Sequence, residues 1–220
     1  MPTILEDGRK IWKGRIKDET LRKSFADKLQ KPNPELGLRG AVRINHIRKN
    51  ADGSEEIVET FEKSNLVVHN GRLWGFHKIF DYPASTIANY KPYWWSCGEG
   101  GATTDNPMNP LYPLDHDVAL YSPVVLDPTN VTFADNGYKA PLAPGTNFIT
   151  ENIIAIIYSV YIDFNQATGA GTTNLNELGL WLAPTQDPTE TTFMLLSHVC
   201  MATRPKTTAD AYEFEWWLYM

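Results

Sequence analysis

Few residues of this chain combine the types and the spacing that metal binding requires. None of the five histidines is paired at metal-ligand spacing. The strongest cluster is Asp115-His116-Asp117, whose three side chains suit a cation. Adjacent residues of an extended or turn segment point apart, so these side chains are not expected to converge on one ion. We therefore predict no metal site and interpret the histidines as packed or solvated side chains: His46, His69, His77, His116 and His198.

The chain also lacks the short motifs of common enzyme classes. Gly98-Glu99-Gly100-Gly101 is followed neither by Lys-Ser/Thr nor by a predicted helix, so it does not match a phosphate-binding loop, and we interpret it as a tight turn. No Gly-x-Ser-x-Gly, His-Glu-x-x-His or Cys-x-x-Cys pattern occurs. A carboxylate pair for glycoside hydrolysis needs only spatial proximity, and nothing in the sequence favours one. We predict no catalytic residue and no cofactor.

Two tryptophan pairs, Trp94-Trp95 and Trp216-Trp217, are the remaining residues with a recognisable binding chemistry. On a strand, each pair places one ring on each face of the sheet. An outward ring can stack on a sugar or fill a contact with another subunit. Protein interfaces are enriched in large rigid rings, so we favour the subunit contact and keep carbohydrate binding as the alternative.

Composition limits the classes of protein that the chain can represent. Its 220 residues are 42% hydrophobic, which is enough for a substantial core and too apolar for intrinsic disorder. No run of about 18 apolar residues is present, so no membrane span is predicted. Residues 1–7 lack the features of a secretion signal. Two cysteines, Cys97 and Cys200, are too few for a disulfide scaffold, and we expect folding in a reducing cytoplasm.

Charge is unevenly distributed along the chain. Residues 1–80 contain 16 Lys and Arg against 11 Asp and Glu, whereas residues 81–220 contain 4 against 15; the resulting charges of +5 and −11 give the net charge of −6. The basic front and the acidic body are expected to attract each other within one chain or between subunits. Acidic residues interleave with the basic ones, and the body repels phosphate, which argues against nucleic-acid binding.

Residues 1–38 are predicted to form an N-terminal arm that contains a short amphipathic helix. Asp18 is a suitable N-cap, and Leu21, Phe25 and Leu29 recur every four residues as a narrow apolar stripe. A proline-rich segment then ends the helix. A helix of about 13 residues is marginally stable in water, so its stripe must dock on something. We favour docking on a neighbouring subunit over docking on the same chain.

Residues 39–220 are predicted to form one mainly β domain. A hairpin with Gly53 in its turn opens it, and a short internal helix follows Asn70-Gly71. Long strands connected by loops favour an antiparallel β-sandwich or jelly roll over a parallel α/β sheet. The strand at 120–126 contains a proline and is expected at an edge, whereas the strand at 153–164 is apolar on both faces and is expected at the centre. Further strands are predicted at 92–97, 177–182, 193–202 and 212–219.

Four residues in this domain have more specific predicted roles. Gly71 and Gly98 are expected to relieve steric strain at turns, and Gly179 to permit a close strand approach. Glu177 has two interpretations: it anchors backbone donors or a basic group near the end of the sheet, or it is a solvated charge at a strand start.

Several loose motifs follow one another in a distinctive order. They are Ser64-Asn65-Leu66-Val67-Val68-His69-Asn70-Gly71-Arg72, Ser96-Cys97-Gly98-Glu99-Gly100-Gly101-Ala102-Thr103-Thr104, Leu111 to Leu120, Asn176-Glu177-Leu178-Gly179-Leu180-Trp181, Phe193-Met194-Leu195-Leu196-Ser197-His198, Arg204-Pro205-Lys206-Thr207-Thr208 and a last strand with tryptophan. This order resembles a diffuse group of tailed-bacteriophage virion structural proteins, over residues 39–220. The chain departs from that pattern in its long loop 102–113 and in His198, which stands where an arginine is expected.

The resemblance implies a non-catalytic β-sandwich subunit of a phage particle, either a capsid decoration or collar protein or a component of the tail or baseplate. Its implied partners are further copies of the chain and other virion proteins, and its implied location is the virion, assembled in the host cytoplasm. From the residues themselves, the candidates for subunit contact are Leu21, Phe25, Leu29, Trp94, Trp217 and Tyr219.

Overall fold

A computed structural model gives the fold, and it describes residues 3–4, 10–11, 19–29, 38–80, 86–150, 153–168 and 171–220. The helices are α1 (Glu19–Leu29) and α2 (His69–Phe80), with short 3-10 turns at Thr86–Asn89 and Asp135–Gly137. The strands are β1 (Thr3–Ile4), β2 (Lys10–Ile11), β3 (Arg39–Lys49), β4 (Glu55–Val67), β5 (Lys91–Gly98), β6 (Ala140–Pro141), β7 (Thr146–Ile149), β8 (Ile154–Ile162), β9 (Thr173–Ala183), β10 (Met194–Lys206) and β11 (Asp210–Tyr219). No helix in the described ranges has the length and apolar character needed to cross a membrane.

Nine of these strands form one antiparallel sheet in the order β6-β5-β9-β10-β4-β3-β11-β8-β7. The mainly β, antiparallel prediction is therefore confirmed, together with the opening hairpin β3–β4 and the helix α2. The hairpin turn depends on Gly53, whose φ of 81° lies in the left-handed region that glycine occupies without strain. The predicted N-cap Asp18 and the proline-rich end of the first helix lie outside the described residues.

The sheet is strongly curled around its main core. β10 and β4 share only two residue pairs, Ser197 with Val67 and His198 with Leu66, so the sheet bends sharply there. The rings of Trp95 on β5 and Phe214 on β11 lie 6.4 Å apart although four strands separate β5 from β11 in the sheet. The inner face thus encloses an apolar core drawn from both halves of the sheet.

Helix α1 covers part of the outer face. Phe25 packs edge-on against Trp217 at 5.2 Å between ring centroids, and Leu29 packs on the same cluster. Arg22 adds an ion pair of 2.6 Å with the buried carboxylate of Glu215. The described contacts of α1 are therefore with its own chain, the alternative that we had not favoured. Leu21 belongs to α1, but its side chain lies outside the described residues.

Two strand predictions are wrong. β8 is not central, because only the short edge strand β7 separates it from the open side of the sheet, and Ile154 and Ile156 are consequently exposed. Residues 120–126 form no strand: a single bridge joins Pro123 to Gly98. Proline lacks the N–H that a strand ladder needs at that point, so the segment runs as a loop.

Gly71 was predicted to lie in a turn, but it lies inside α2. A Cβ atom at Gly71 would lie 2.2 Å from the carbonyl oxygen of Leu196 on β10. The glycine therefore allows α2 to approach the sheet closely. A Cβ atom at Gly75, one turn later, would meet only the Leu38 side chain, at 3.2 Å.

This difference predicts that the same substitution has effects of different size at two positions of one helix. Gly71→Ala should lower the free energy of unfolding by about 1–3 kcal/mol, because backbone must shift. Gly75→Ala should change it by at most about 1 kcal/mol, since alanine favours the helix and the Leu38 side chain can rotate. Urea unfolding of both variants checks this, and equal destabilisation would contradict the packing argument.

Candidate functional site

A long loop, residues 99–126, follows β5 and packs against the end of the sheet. Its return is held next to β5 because the Glu99 N–H donates to the Ser122 carbonyl at 2.8 Å and the Val124 N–H donates to the Cys97 carbonyl at 2.9 Å. Leu120 is buried in an apolar cluster with Trp94 and other residues on the outer face. The loop is therefore part of the folded unit.

Glu177 on β9 is the central residue of this attachment. Its Oε1 accepts hydrogen bonds from the backbone N–H groups of Gly100 and Ser122, at 3.0 and 2.7 Å. Its Oε2 accepts from the Tyr121 N–H at 2.9 Å. The side chain is fully buried. The anchoring interpretation of Glu177 is thus confirmed, and one carboxylate binds both ends of the loop.

His198 on β10 joins Glu177 to a second carboxylate. Its Nε2 lies 3.1 Å from Glu177 Oε2, and its Nδ1 lies 2.8 Å from Asp117 Oδ2. Burial opposes protonation of the ring, but its contacts with Cys200, Glu177 and Asp117 outweigh burial and raise the His198 pKa to about 10. At neutral pH the ring is therefore a cation that donates one N–H to each carboxylate.

The other bonds of these carboxylates complete the network. Asp117 Oδ2 also accepts from the Leu114 N–H at 2.8 Å and from the Tyr121 hydroxyl at 3.0 Å. Burial acts to raise the pKa of Glu177. Hydrogen bonds from His198 and three backbone N–H groups act in the opposite direction and outweigh burial, so the pKa lies below its ordinary range. Each buried charge thus faces an opposite charge or several donors, the condition for a stable buried network. We call Asp117, Glu177 and His198 the buried triad.

Glycines make room for this network. A Cβ atom at Gly98 would lie 2.3 Å from Glu177 Oε1, and one at Gly101 would lie 2.1 Å from the carbonyl oxygen of Asn176. A Cβ atom at Gly100 would lie 2.6 Å from the Tyr121 Cβ. None of the three has a positive φ. The glycine-rich segment therefore serves close approach of loop and sheet, and not the tight turn that we predicted.

A thiol, that of Cys200, lies next to the buried triad, which raises the question of nucleophilic catalysis. Cys200 Sγ lies 3.8 Å from His198 Nε2, and Asp117 contacts the opposite ring nitrogen. A general base must have a free lone pair, however, and both nitrogens of this imidazolium already donate to carboxylates. The side chains of Cys200 and His198 are also buried. The arrangement suits attachment of the loop better than catalysis.

The cluster Asp115-His116-Asp117 diverges as expected. Asp115 forms an ion pair with Arg72 of α2, and its carbonyl accepts from the His69 N–H. His116 is exposed, and Asp117 points inward to the buried triad. The sequence identified both Glu177 and this cluster, but it did not indicate that Asp117 and Glu177 meet at His198.

The outer side of the loop is unusually apolar. Tyr112 is 86% exposed and Val118 is 69% exposed. α2, which Arg72 joins to the loop through Asp115, exposes further apolar side chains. We call these residues the loop surface: Leu73, Phe76, Met108, Leu111, Tyr112, Leu114, Val118 and Tyr121. These exposed apolar side chains thus lie in two segments that are joined by an ion pair, and exposed apolar surface is typical of contact sites.

The residues predicted for subunit contact lie elsewhere. Trp94 and Trp217 are fully buried, and Phe25 is buried against Trp217. Leu29 and Tyr219 are partly buried on the same cluster as Phe25. The structure thus brings Phe25, Leu29, Trp217 and Tyr219 together, but in an intrachain cluster, with Trp94 in a separate one.

The alternative of carbohydrate binding requires an exposed tryptophan from one of the two pairs. Trp94, Trp95, Trp216 and Trp217 are all at most 3% exposed. The pairs do place rings on both faces, as predicted, but the loop and α1 cover the outer face at Trp94 and Trp217. The two pairs therefore provide no platform for a sugar.

No family model, no curated protein and no solved structure matches this chain, so a function must be inferred from the residues described above.

Proposed function

We propose that this chain is a non-catalytic structural subunit that stabilises an assembly, through contacts between its loop surface and a neighbouring protein. The observation that carries the proposal is the combination of an apolar exterior and a charged, buried interior in one loop. Residues such as Tyr112 and Val118 face solvent, while Asp117 between them is bound to the sheet.

The attachment of the loop bears directly on binding. A flexible loop loses conformational entropy when a partner orders it, and this loss weakens binding. Here the backbone N–H groups of Tyr121 and Ser122 are fixed by Glu177, and the Leu114 N–H is fixed by Asp117. The loop surface is consequently presented in an ordered form before contact.

The finer fold assignment belongs to the same proposal. We infer that the two halves of the curled sheet act as the two layers of a β-sandwich. β4, β3, β11, β8 and β7 form one half and β6, β5, β9 and β10 the other, and the contact of Trp95 with Phe214 across the core supports this division. In β-sandwiches the loops cluster at the ends of the two layers, where they are available for contact.

The more specific setting, a tailed-phage particle, is supported by the order of motifs over residues 39–220. Two of those motifs acquire a physical reason in the fold: the glycine-rich segment leaves room for Glu177, and Glu177 binds the loop. The head or collar and the tail or baseplate are both compatible with this setting.

Fractionation of particles tests the proposal. A tagged copy of the chain is expressed in the host cells in which the particles assemble. The cell extract is then separated on a density gradient. The unmodified chain should band with tailed particles, whereas the double variant Tyr112→Glu/Val118→Glu should remain in the soluble fractions, because two charges then face an apolar partner. Val131→Glu is the matched control, since Val131 is 86% exposed in a different loop.

Two outcomes would contradict the proposal. One is absence of the unmodified chain from the particle fractions. The other is retention of the folded double variant in those fractions at the level of Val131→Glu, which would show that the loop surface makes no contact. Circular dichroism of each purified variant confirms folding, and a tail or head location follows from images of the labelled particles.

A further inference from the structure

Among the described residues, strand β7 forms an open edge at one end of the curled sheet. In the described part of the chain it pairs only with β8, through Thr146–Ile149 opposite Ile154–Ile157. Thr146, Asn147 and Ile149 are exposed. An edge strand presents unpaired N–H and C=O groups, which are a template for another strand.

The register shows which backbone groups point outward. The Thr150 N–H donates to the Ile153 carbonyl, so these two residues form a bonded pair and the pair Ile149–Ile154 does not. The Met220 N–H donates to the Ile154 carbonyl, which independently places the Ile154 backbone toward β11. By alternation, the N–H and C=O groups of Asn147 and Ile149 face the open edge.

The two edges of the sheet differ in their protection. β6 is only two residues long and ends in Pro141, which has no N–H to offer. β7 contains neither proline nor charge, and no charged residue occurs between Lys139 and Glu151. Short length, proline and charge are the usual devices that prevent edge pairing, and β7 has only a short length.

An apolar patch continues beside this edge. Ile149 is 70% exposed, Met220 is 58% exposed and Ile154 is 56% exposed, and all three lie on one face because they are directly opposite neighbours. Ile156 extends the patch. Pairing at the edge would therefore cover apolar surface as well as satisfy backbone groups.

We propose that β7 pairs with β7 of a second copy of this chain, antiparallel about a twofold axis at Phe148, which makes one continuous sheet across two subunits. In this register Asn147 of each copy lies opposite Ile149 of the other copy. The two residues of each such pair then donate one N–H···O bond to each other. The edge is self-complementary, as a twofold contact requires. The lack of charge lets two acidic chains approach here without facing like charges.

The pairing is independent of the loop surface, so its test distinguishes it from the proposed function. Sedimentation velocity over a concentration series should show a reversible dimer of the intact chain. Ile149→Lys should weaken the dimer by at least about tenfold, because it brings an ammonium group from each copy into the apolar patch. Val131→Lys adds the same charge at an exposed position in a loop outside β7. It should leave the dimer unchanged.

A second pair of variants tests the backbone directly. Asn147→Pro removes an N–H that faces the open edge but does not bond to β8, so the dimer should be lost while the fold is kept. Asn147→Ala retains this N–H and should still form the dimer. Hydrogen exchange of the unmodified chain adds a readout that needs no variant: the amides of Asn147 and Ile149 should be protected at high concentration and exchange faster on dilution.

The proposal is overturned if the intact chain stays monomeric up to millimolar concentration. It is also overturned if a dimer forms but persists in Ile149→Lys, or if these two amides exchange at the same rate at all concentrations. In the last two cases the dimer would use another surface.

Discussion

Replacement of His198 by alanine is expected to lower the free energy of unfolding by about 3–5 kcal/mol, the usual cost of breaking a buried ion pair by removing one partner. Asp117 and Glu177 would then remain as buried carboxylates without their shared cation. Because Glu177 also binds the Tyr121 and Ser122 amides, the loop should loosen too. Urea unfolding measures the first effect and hydrogen exchange of those amides the second.

His116→Ala is the matched control for this experiment. His116 lies next to Asp117 in the same loop but is exposed, so its removal should change the free energy of unfolding by no more than about 0.5 kcal/mol. His198→Gln keeps a similar size but carries no charge, and its amide donates from one nitrogen, whereas the imidazolium donates from two. It should fall between the alanine variant and the unmodified chain. A loss below about 1 kcal/mol in His198→Ala would refute the buried triad.

The pH dependence separates charge from packing. The folded pKa of His198 is about 10, whereas that of an unfolded histidine is about 6.5. Between these values the native state holds a proton that the unfolded state has lost, so this contribution is complete below pH 6.5 and disappears as pH rises through 10. The stability difference between the unmodified chain and His198→Gln should therefore shrink from pH 6 to pH 10. Burial lowers the pKa of Lys206 to about 8 and acts in the opposite direction, but it is common to both proteins and cancels.

The strands that carry the buried triad could be predicted because their sequences alternate. Leu178, Leu180 and Leu182 on β9 point to the main core, and the apolar runs in β10 and β11 behave in the same way. A carboxylate at Glu177, inside such a strand, is too costly to bury without partners. For this reason an anchoring role was one of the two interpretations that the sequence offered for Glu177, even though the identity of its partners could not be predicted.

The remaining features depend on distances that no local pattern encodes. Asp117 and His198 are 81 residues apart, and Asp117 belongs to a loop whose path is set by Glu177. Periodicity predicts a strand at 120–126, but the carboxylate of Glu177 binds the backbone of Tyr121 and Ser122 and takes the place of a strand ladder. The sequence also could not specify the docking site of α1, since a stripe of three apolar residues fits any apolar surface.

His198 occupies a position at which the resemblance predicts a different cationic residue. The resemblance led us to expect arginine here, yet contacts with Cys200, Glu177 and Asp117 raise the pKa of His198 to about 10. The position therefore remains cationic at neutral pH. The ring of Tyr121 packs edge-on against the His198 ring, with 4.9 Å between their centroids.

Trp217→Ala is expected to have the second large effect, a loss of about 3–5 kcal/mol together with release of α1. Trp217 is fully buried between Phe25 of α1, at 5.2 Å, and Phe148 of β7, at 5.1 Å between ring centroids. Its removal leaves a cavity in the sheet and deprives α1 of its main apolar contact. Phe25→Ala removes only the contribution of the helix, so it should release α1 at a smaller cost to the sheet.

Hydrogen exchange of α1 distinguishes docking on its own chain from docking on a neighbour. An isolated helix of this length is marginal in water, so protection of its amides reports docking. In the dilute unmodified chain these amides should be protected, and the protection should be lost in Trp217→Ala and Phe25→Ala but retained in Ser24→Ala, where the replaced side chain is exposed. Rapid exchange in the dilute unmodified chain, followed by protection at high concentration, would instead place α1 on a second subunit and restore the arm that the sequence favoured. The ion pair of Arg22 with Glu215 would then form between chains, because Glu215 lies on the same outer face as Trp217.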